Sequence, residues 1–295
     1  MHRRSREGDI QEIGQDNRIG VVYMKRFLII LLFFTAAWLH GQAGSFTVST
    51  YNLNYGNFNQ KLIKTAIEGA GSDIVALQET NKDVEGFLGK TFTKQYQSVS
   101  FTGNRGKHPG ERFGFLSKYA FESLNFIKPK DGIFGSYVAI TAINGIKLQI
   151  VNVHLQPTRL SKEKGLTENL ALLAEADETH LKEIKNILDI IDKKLPTIVL
   201  GDFNSMSFFK TCNYMKENGY IDCVAGLSEN PDMMHTWSWK LKNGYELPAR
   251  IDFIFCNDAF VPKNMKIDKE TGSDHFLMTV ELEFKKSEKQ GNEKK

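Results

Sequence analysis

The segment Thr197-Ile198-Val199-Leu200-Gly201-Asp202-Phe203-Asn204 is the most informative stretch of this chain. Its first four residues are apolar or β-branched, which predicts a short buried strand. Asp202 and Asn204 then stand where the strand ends, in the position of a rim loop. A single Asp in such a place is usually a turn or capping residue, so this segment alone predicts a strand and no chemistry.

The same arrangement recurs at five further strand ends. The polar residues in these places are Asn52, Glu79, Asn152 with His154, Asp252, and Asp274 with His275. Carboxylate and amide oxygens without thiolates suit a hard cation such as Mg²⁺, with Mn²⁺ as the alternative. Two histidines add groups that titrate near neutral pH. Together these residue types indicate metal-assisted attack of water on a phosphate ester.

The strand-like runs are frequent, and two helical stretches accompany them. The predicted strands are Ser45–Tyr51, Asp73–Gln78, Phe113–Leu116, Tyr137–Ile143, Lys147–Leu155, Thr197–Leu200, Ile251–Phe255 and Leu277–Phe284. One helix is predicted around Leu62–Ile67 and another over Thr167–Lys193, both from the spacing of their apolar residues. We therefore expect a single α+β domain over residues 44–284, with two packed sheets and outer helices.

Length and composition bound the class of protein. The chain has 295 residues, of which 41% are hydrophobic and 25% charged. These values are typical of an ordinary soluble globular chain and exclude a disordered, collagen-like or multi-span membrane protein. The formal net charge of +3 neither demands nor excludes a nucleic-acid partner.

Both ends of the chain differ from its body. Residues Phe27–Leu39 are uncharged, follow Lys25-Arg26 and precede small residues up to Ala43. A run of this length is too short for a membrane span and is typical of a secretory signal peptide. We expect a secreted or periplasmic protein without a transmembrane segment in its mature form. Met24 is an alternative start, which would make residues 1–23 a mis-assigned extension. The basic tail, residues 285–295, is expected to be disordered.

The three cysteines leave the thiol chemistry open. Cys212 and Cys223 are the nearest pair in sequence, and a disulfide between them would leave Cys256 unpaired. Export would permit a disulfide. Cys256 ends an apolar strand, which favours a buried free thiol. No Cys-x-x-Cys spacing occurs, so a thiolate zinc site is not expected.

Six short motifs in order resemble those of the endonuclease/exonuclease/phosphatase superfamily, the DNase I-like group. Each is weak alone, but the ordered set spans nearly the whole body of the chain. The motifs are Tyr51-Asn52-Leu53-Asn54, Leu77-Gln78-Glu79-Thr80, Asn152-Val153-His154-Leu155, Gly201-Asp202-Phe203-Asn204, Arg250-Ile251-Asp252-Phe253-Ile254 and Ser273-Asp274-His275. The resemblance implies a four-layered α/β sandwich with the site at one rim.

The resemblance also implies roles for these residues. Glu79 would be the main Mg²⁺ ligand, assisted by Asn52, with Asp274 beside the metal. Asp202 and Asn204 would orient the attacking water and hold the phosphate.

Two carboxylate–imidazole pairs complete the implied site. Glu111, in Glu111-Arg112-Phe113, would orient His154, and Asp252 would hold His275. A carboxylate on an imidazole fixes its tautomer and raises its basicity. Of the two histidines, we favour His275 as the base and His154 as the acid.

Substrate contacts are predicted at four further positions, namely Arg112, Asn152, Trp237 and Arg250. Trp237 would stack on a base, although packing in the core is an equal alternative. Arg105 and Lys107 belong to a basic loop that would clamp phosphates or simply be solvated.

Three functions compete at this point. His154 stands where the abasic-site repair branch typically carries Tyr, and export also argues against DNA repair. The first hypothesis is a metal-dependent phosphodiesterase, a nuclease acting on DNA or RNA as a monomer. The second is a phosphatase or phospholipase C-type hydrolase of inositol phosphates or sphingomyelin. The third, a non-catalytic binding protein, would have lost site residues, yet every expected position is filled.

Secreted DNase I itself is a weaker match than the superfamily. Its disulfide partners would fall at Ser207 and Ala249, and neither is a cysteine. The sequence also lacks the long apolar hairpin with exposed aromatic residues that a membrane-targeted sphingomyelinase would need. The substrate therefore stays open at the level of the sequence.

Overall fold

The computed structural model describes residues 44–103, 108–158, 160–161, 163–240 and 246–286. In these residues the helices are α1 (Gln60–Ala70), α2 (Lys82–Thr91), α3 (Leu166–Ile190) and α4 (Lys210–Glu217). The strands are β1 (Phe46–Asn52), β2 (Ile74–Gln78), β3 (Ser98–Phe101), β4 (Phe113–Ser117), β5 (Phe121–Ile127), β6 (Ser136–Ile143), β7 (Ile146–His154), β8 (Thr197–Asp202), β9 (Ile221–Asp222), β10 (Trp237–Lys240), β11 (Glu246–Ala249), β12 (Asp252–Cys256), β13 (Phe260–Asp268) and β14 (Leu277–Phe284).

Twelve of these strands build two mixed six-stranded sheets. The order is β13-β14-β1-β2-β4-β3 in the first sheet and β5-β6-β7-β8-β12-β9 in the second, while β10 and β11 form a separate hairpin. One neighbouring pair in each sheet is parallel, β1 with β2 and β7 with β8. A parallel pair needs a long crossover, and α1 and α3 lie in these two connections. The remaining neighbours are antiparallel, which confirms the expected α+β sandwich of two mainly antiparallel sheets flanked by helices.

The helices cover the outer faces of the sheets. α1 starts at Asn59, whose side chain accepts the Leu62 N–H, and buries Ile63, Ala66 and Ile67. This is the face that the sequence predicted. On the second sheet, α3 packs Ile184, Ile187 and Leu188 into an apolar cluster with residues of β7, β8, β12 and α4.

A side chain of α3 caps the N-terminus of α4. The buried carboxylate of Asp177 on α3 accepts the backbone N–H groups of Lys210 and Thr211 at 2.7 and 3.1 Å. A helix N-terminus leaves such N–H groups without intrahelical partners, and a negative charge there is stabilising. Asp177 therefore ties α4 to α3.

The two sheets face each other through aromatic and amide contacts. The rings of Phe115 on β4 and Tyr137 on β6 are 5.3 Å apart. Asn152 on β7 donates to the carbonyl oxygens of Leu77 and Gly114 in the other sheet, and accepts from Gln78 at 2.7 Å. These buried bonds fix the position of one sheet relative to the other.

Several elements differ from the sequence prediction. The long helix ends at Ile190 and not at Lys193, and β8 extends to Asp202. Helices α2 and α4 and strands β3, β5, β9, β10, β11 and β13 were not predicted. Residues 1–43, Arg105, Lys107 and residues 287–295 lie outside the described part, so the signal peptide, the phosphate-clamping loop and the disordered tail stay predictions. Among the described residues, no helix has the length and apolar character needed to cross a membrane.

Candidate active site

The ends of four strands meet at one edge of the sandwich. Because β1 runs parallel to β2 and β7 runs parallel to β8, Asn52, Glu79, His154 and Asp202 all emerge on the same side. β12 is antiparallel to β8, and its first residue, Asp252, lies directly opposite Asp202. Strand direction alone therefore gathers side chains that are up to 200 residues apart in sequence.

Asn52 joins the carboxylates of the two sheets. Its Nδ2 donates to Asp202 Oδ2 at 2.9 Å and to Glu79 Oε1 at 3.1 Å. Its Oδ1 accepts the backbone N–H of Asn54. Asn52 is completely buried, so this amide is a fixed part of the site. In this arrangement Asn52 positions both carboxylates, and its predicted role in assisting the metal ligand Glu79 stays a prediction.

His154 points its free nitrogen at both carboxylates. Its Nδ1 lies 3.0 Å from the carbonyl oxygen of Gly110, and Phe134 stacks on the ring with centroids 4.2 Å apart. Its Nε2 is buried without a hydrogen-bond partner, 3.5 Å from Glu79 Oε1 and 3.6 Å from Asp202 Oδ2. The Gly110 carbonyl oxygen is therefore the group that orients His154 through Nδ1. The prediction that the neighbouring Glu111 does so is wrong.

His275 and Asp252 form the expected pair. His275 Nδ1 lies 2.9 Å from Asp252 Oδ2, and its Nε2 lies 3.7 Å from Asp202 Oδ2. Thr236 fixes Asp252 by accepting its backbone N–H at 3.0 Å. Burial lowers the pKa of His275, but Asp252 and Asp202 outweigh it and raise that pKa to about 10. A protonated imidazole is a proton donor, so this state supports the donor role proposed below, and the role of His275 as base stays a prediction.

Asp202 is the shared centre of this arrangement. Burial raises the pKa of Asp202 to about 6, against the opposing effect of His275. One oxygen, Oδ2, faces Asn52, His154 and His275, while Oδ1 accepts the Asn204 N–H at 2.8 Å. A carboxyl group with a pKa near neutrality is well suited to accept a proton during a reaction.

Three motif residues other than glycine carry unusual backbone conformations. Asn54, Glu79 and Asn204 have φ angles of 58°, 51° and 48°, in the left-handed region that residues other than glycine rarely adopt. Gly201, with φ of 146°, cannot be replaced by a residue with a side chain, because a Cβ there would lie 1.9 Å from the Val153 carbonyl oxygen. The glycine in Gly201-Asp202-Phe203-Asn204 thus allows β8 to approach β7 closely beside His154.

A cleft of about 310 Å³ opens over these groups. Glu79, Asp202, Asn204, Asp274 and His275 lie on its polar side. The rest of the lining, here called the apolar wall, is mostly apolar and includes Leu160, Leu170, Leu173, Met206, Trp237, Pro248, Ala249 and Ile251. The site therefore combines a charged floor with an apolar wall.

Trp237 and Asp274 belong to the rim of this cleft. The indole Nε1 of Trp237 donates to Asp274 Oδ2 at 3.3 Å, and Asn54 donates to Asp274 Oδ1 at 3.0 Å. Of the two alternatives for Trp237, a place at the site is the one that the structure supports.

Comparisons with known proteins agree with this geometry. The sequence profile of the endonuclease/exonuclease/phosphatase family matches residues 49–275, which is most of the chain. This chain belongs to that family. The match confirms the resemblance drawn from the six motifs, all of which lie inside the matched range.

Solved structures share the fold of the family. A humanized TDP2 from D. rerio has a TM-score of 0.62 and 16% identity, covering 82% of this chain and 99% of that chain. An endonuclease/exonuclease/phosphatase protein from Beutenbergia cavernae has a TM-score of 0.62 and 15% identity, covering 81% and 72%. The human Nocturnin catalytic domain has a TM-score of 0.60 and 16% identity, covering 82% and 95%. A comparison with curated proteins finds no significant match.

The donor set fits the divalent cation that this family generally uses. Glu79, His154 and Asp202 each offer one ligand atom, and these atoms lie within 4.8 Å of one another. The unpaired Nε2 of His154 is buried and aimed between two carboxylates, which is the geometry that a cation would satisfy. Asp202 also belongs to a second group with Asp252 and His275. The identity of the ion is not fixed by these donors alone.

Three predicted substrate contacts have other partners. Arg112 forms an ion pair with Glu85 on α2, through Nε at 2.9 Å and Nη2 at 2.5 Å. Arg250 is buried and bidentate on Asp222, at 3.0 and 2.8 Å. Asn152 is completely buried and bonds across the sheets. These three side chains stabilise the motifs through contacts within the protein. The prediction that they contact substrate is therefore corrected.

Sequence reasoning missed three residues that shape the site. Gly110 supplies the carbonyl that orients His154, Phe134 supplies the ring that stacks on it, and Thr236 holds the strand carrying Asp252. Gly110 and Thr236 adjoin Glu111 and Trp237, which the sequence singled out, but neither residue type indicates such a role. A backbone carbonyl leaves no signature in residue type.

Two side chains of helix α3 form hydrogen bonds with the backbone just after His154. Glu183 accepts the backbone N–H of Gln156 at 3.0 Å, and His180 Nε2 bonds to the Gln156 carbonyl oxygen at 2.6 Å. Gly132 packs on the Glu183 carboxyl group so closely that a Cβ there would overlap it. Both backbone polar groups of Gln156 are thus held two residues from His154.

Glu183→Gln is expected to change how stability depends on pH. Burial raises the pKa of Glu183 to about 8, from an ordinary value of 4.5. Between these values the folded chain holds one more proton than the unfolded chain, so stability falls as pH rises towards 8. Gln keeps the acceptor oxygen and does not titrate. The variant should therefore match the wild type in Tm near pH 5 and exceed it near pH 9.

Thermal melts between pH 5 and pH 9 measure this effect. The matched control is Glu175→Gln, an exposed glutamate on the same helix, which should follow the wild-type curve. Equal Tm values for Glu183→Gln and wild type at both ends of the range would contradict the prediction.

Proposed function

We propose that this chain is a divalent-metal-dependent phosphodiesterase that hydrolyses nucleic acid. One observation carries the proposal. Asn52, His154 and His275 all face the same carboxylate oxygen of Asp202, and Glu79 lies beside them. Acid, base and cation-binding groups then surround one small space at the floor of an open cleft. This combination is what hydrolysis of a phosphoric ester by activated water requires.

The roles of the residues follow from their charges and partners. Asp202 and Asn204 orient the attacking water, and Asp202 accepts its proton. His275, protonated and held by Asp252, donates its proton to the leaving oxygen as the bond between that oxygen and phosphorus breaks. Glu79, Asp202 and His154 would hold the cation, with Asn52 keeping the two carboxylates in place. The cation, Mg²⁺ or Mn²⁺, would neutralise charge that develops on the phosphoryl oxygens.

Nucleic acid is the first candidate substrate. A D. rerio TDP2 of the same fold has been solved in complex with a single-strand DNA product. Trp237, beside His275 on the cleft wall, offers an aromatic surface on which a base would stack. Export, predicted from Phe27–Leu39, would direct such an enzyme to nucleic acid outside the cytoplasm.

The apolar wall favours a second candidate. Leu170, Leu173 and Met206 would accommodate an apolar substituent next to the phosphate, as a phospholipid or sphingomyelin carries. A panel of plasmid DNA, RNA, sphingomyelin and inositol phosphates separates the two candidates. Turnover of DNA or RNA supports the nuclease, and turnover of sphingomyelin alone supports the phospholipase C-type hydrolase.

Removal of the cation is expected to abolish activity. Purified protein should hydrolyse bis-p-nitrophenyl phosphate in Mg²⁺, lose this activity in EDTA and recover it when excess Mg²⁺ or Mn²⁺ is added, because the carboxylates alone would repel the substrate. Release of p-nitrophenol is the measurement. In Glu79→Ala the Mg²⁺ concentration for half-maximal rate should rise about tenfold or more. Full activity in EDTA would refute metal dependence.

A further inference from the structure

We propose that Cys223 and Cys256 form a disulfide bond when the chain folds under oxidising conditions. Their Sγ atoms lie 3.5 Å apart as free thiols, and both side chains are completely buried. The sequence made Cys212 and Cys223 the nearest pair. The structure instead divides the three cysteines into one facing pair and Cys212.

The pairing of β9 with β12 brings the two thiols together. Ile221 lies opposite Cys256, and the Cys223 N–H donates to the Ile254 carbonyl oxygen at 3.0 Å. Cys223 is therefore opposite Ile254 and diagonal to Cys256 on the same face of the antiparallel pair. Diagonal neighbours on one face are close enough for side chains to interact. A disulfide requires about 2.05 Å between the sulfurs, so an approach of roughly 1.5 Å completes the bond.

Cys212 has different surroundings. It lies on α4, in the apolar cluster beneath α3 with Met215 and Phe253. The sulfur-to-sulfur contact among the three cysteines joins Cys223 and Cys256, so the fold places no second thiol against Cys212. Cys212 therefore stays a free thiol while the other two are joined.

The chemistry is a two-electron oxidation by thiol–disulfide exchange. The thiolate of one cysteine attacks the oxidant, such as glutathione disulfide, and releases one glutathione thiol. The other cysteine then attacks the mixed disulfide, forms the intramolecular S–S bond and releases the second glutathione thiol. Because both sulfurs are buried in the folded chain, the exchange takes place during folding, before β9 docks on β12.

The bond would secure a weak edge of the second sheet. β9 has two residues and is the edge strand beside β12, which begins with Asp252. A cross-link between residues 223 and 256 reduces the freedom of the unfolded chain over the loop between them. Such a bond belongs to an oxidising compartment, in agreement with the predicted export.

Refolding of the full chain tests the proposal. One sample is refolded with reduced and oxidised glutathione and another with dithiothreitol, and both are then denatured and alkylated. We expect one alkylated cysteine in the oxidised sample and three in the reduced sample, by intact mass. A peptide joined through Cys223 and Cys256 should be found after digestion, and Tm should be about 5 °C or more higher in the oxidised protein.

Two variants make the outcome unambiguous. Cys212→Ser should leave no alkylated cysteine after oxidative refolding, because the pair is intact. Cys256→Ser should leave two. Three alkylated cysteines in the oxidised wild type, glutathione adducts in place of the bond, or a bond to Cys212 would each overturn the proposal. Cys212→Ser decides the matter even if Cys256→Ser does not fold.

Discussion

Asp202→Asn is expected to lower kcat/KM for bis-p-nitrophenyl phosphate about 10⁴-fold with little change in Tm. The side chain keeps its shape, but the negative charge shared by His154, His275 and the proposed cation is lost, together with the group that accepts a proton. Burial raises the pKa of Asp202, which means that the ionised carboxylate costs stability above that pKa. The uncharged amide removes this cost, which offsets the hydrogen bond lost where its NH2 group faces the donor of Asn52 or Asn204, so Tm should stay close to that of the wild type near neutral pH.

The matched control is Asp177→Asn, at another buried aspartate. Asp177 caps α4 by accepting the N–H groups of Lys210 and Thr211, and it lies outside the catalytic network. The expected result is reversed, with a lower Tm and a kcat/KM within about threefold of wild type. Rates from p-nitrophenol release and Tm from thermal melts give both values. A Tm loss in Asp202→Asn that matches its activity loss would contradict the catalytic role.

Strand ends explain why so much of the site could be predicted from the sequence. An apolar run followed by Asp, Glu or Asn places a polar side chain at the edge of a sheet, and the ordered motifs identified which edges meet. Glu79, His154, Asp202 and His275 converge for this reason. Parallel pairing of β1 with β2 and of β7 with β8 then makes the edges coincide.

Four of the six strands that sequence reasoning missed share a physical cause. β3, β5, β9 and β13 are the four edge strands of the two sheets. An edge strand is only partly covered, so its sequence need not show the continuous apolar run of a central strand. β13, for example, contains Lys263, Asn264 and Lys266 within nine residues. The pattern that predicted central strands therefore could not detect the edges.

Residue type does not show which group an arginine of a motif will bind. Arg250 stands beside Asp252 in its motif, yet its guanidinium turns away to Asp222, which comes from β9. Arg112 adjoins Glu111, yet its partner is Glu85 on α2. Each choice depends on an element that reaches the motif only in three dimensions. The same holds for the apolar wall, because Leu170 and Leu173 come from α3.

His275→Ala is the second large effect, with an expected loss of about 10³-fold to 10⁴-fold in kcat/KM. The protonated imidazole, whose Nε2 lies 3.7 Å from Asp202 Oδ2, is the proposed proton donor, and alanine can neither donate nor carry charge. Asp252→Asn should cost less, about 10-fold to 100-fold, because Asp252 acts by holding His275 Nδ1 at 2.9 Å and by raising its pKa.

The double variant distinguishes positioning from an independent catalytic role. If Asp252 acts only through His275, then adding Asp252→Asn to His275→Ala should change the rate by less than about threefold, since nothing remains to be held. Additive losses would mean that Asp252 itself contacts the reacting groups, through the Oδ1 that is buried without a hydrogen-bond partner. The ratio of the two single losses to the double loss therefore measures how much of the contribution of Asp252 passes through the imidazole.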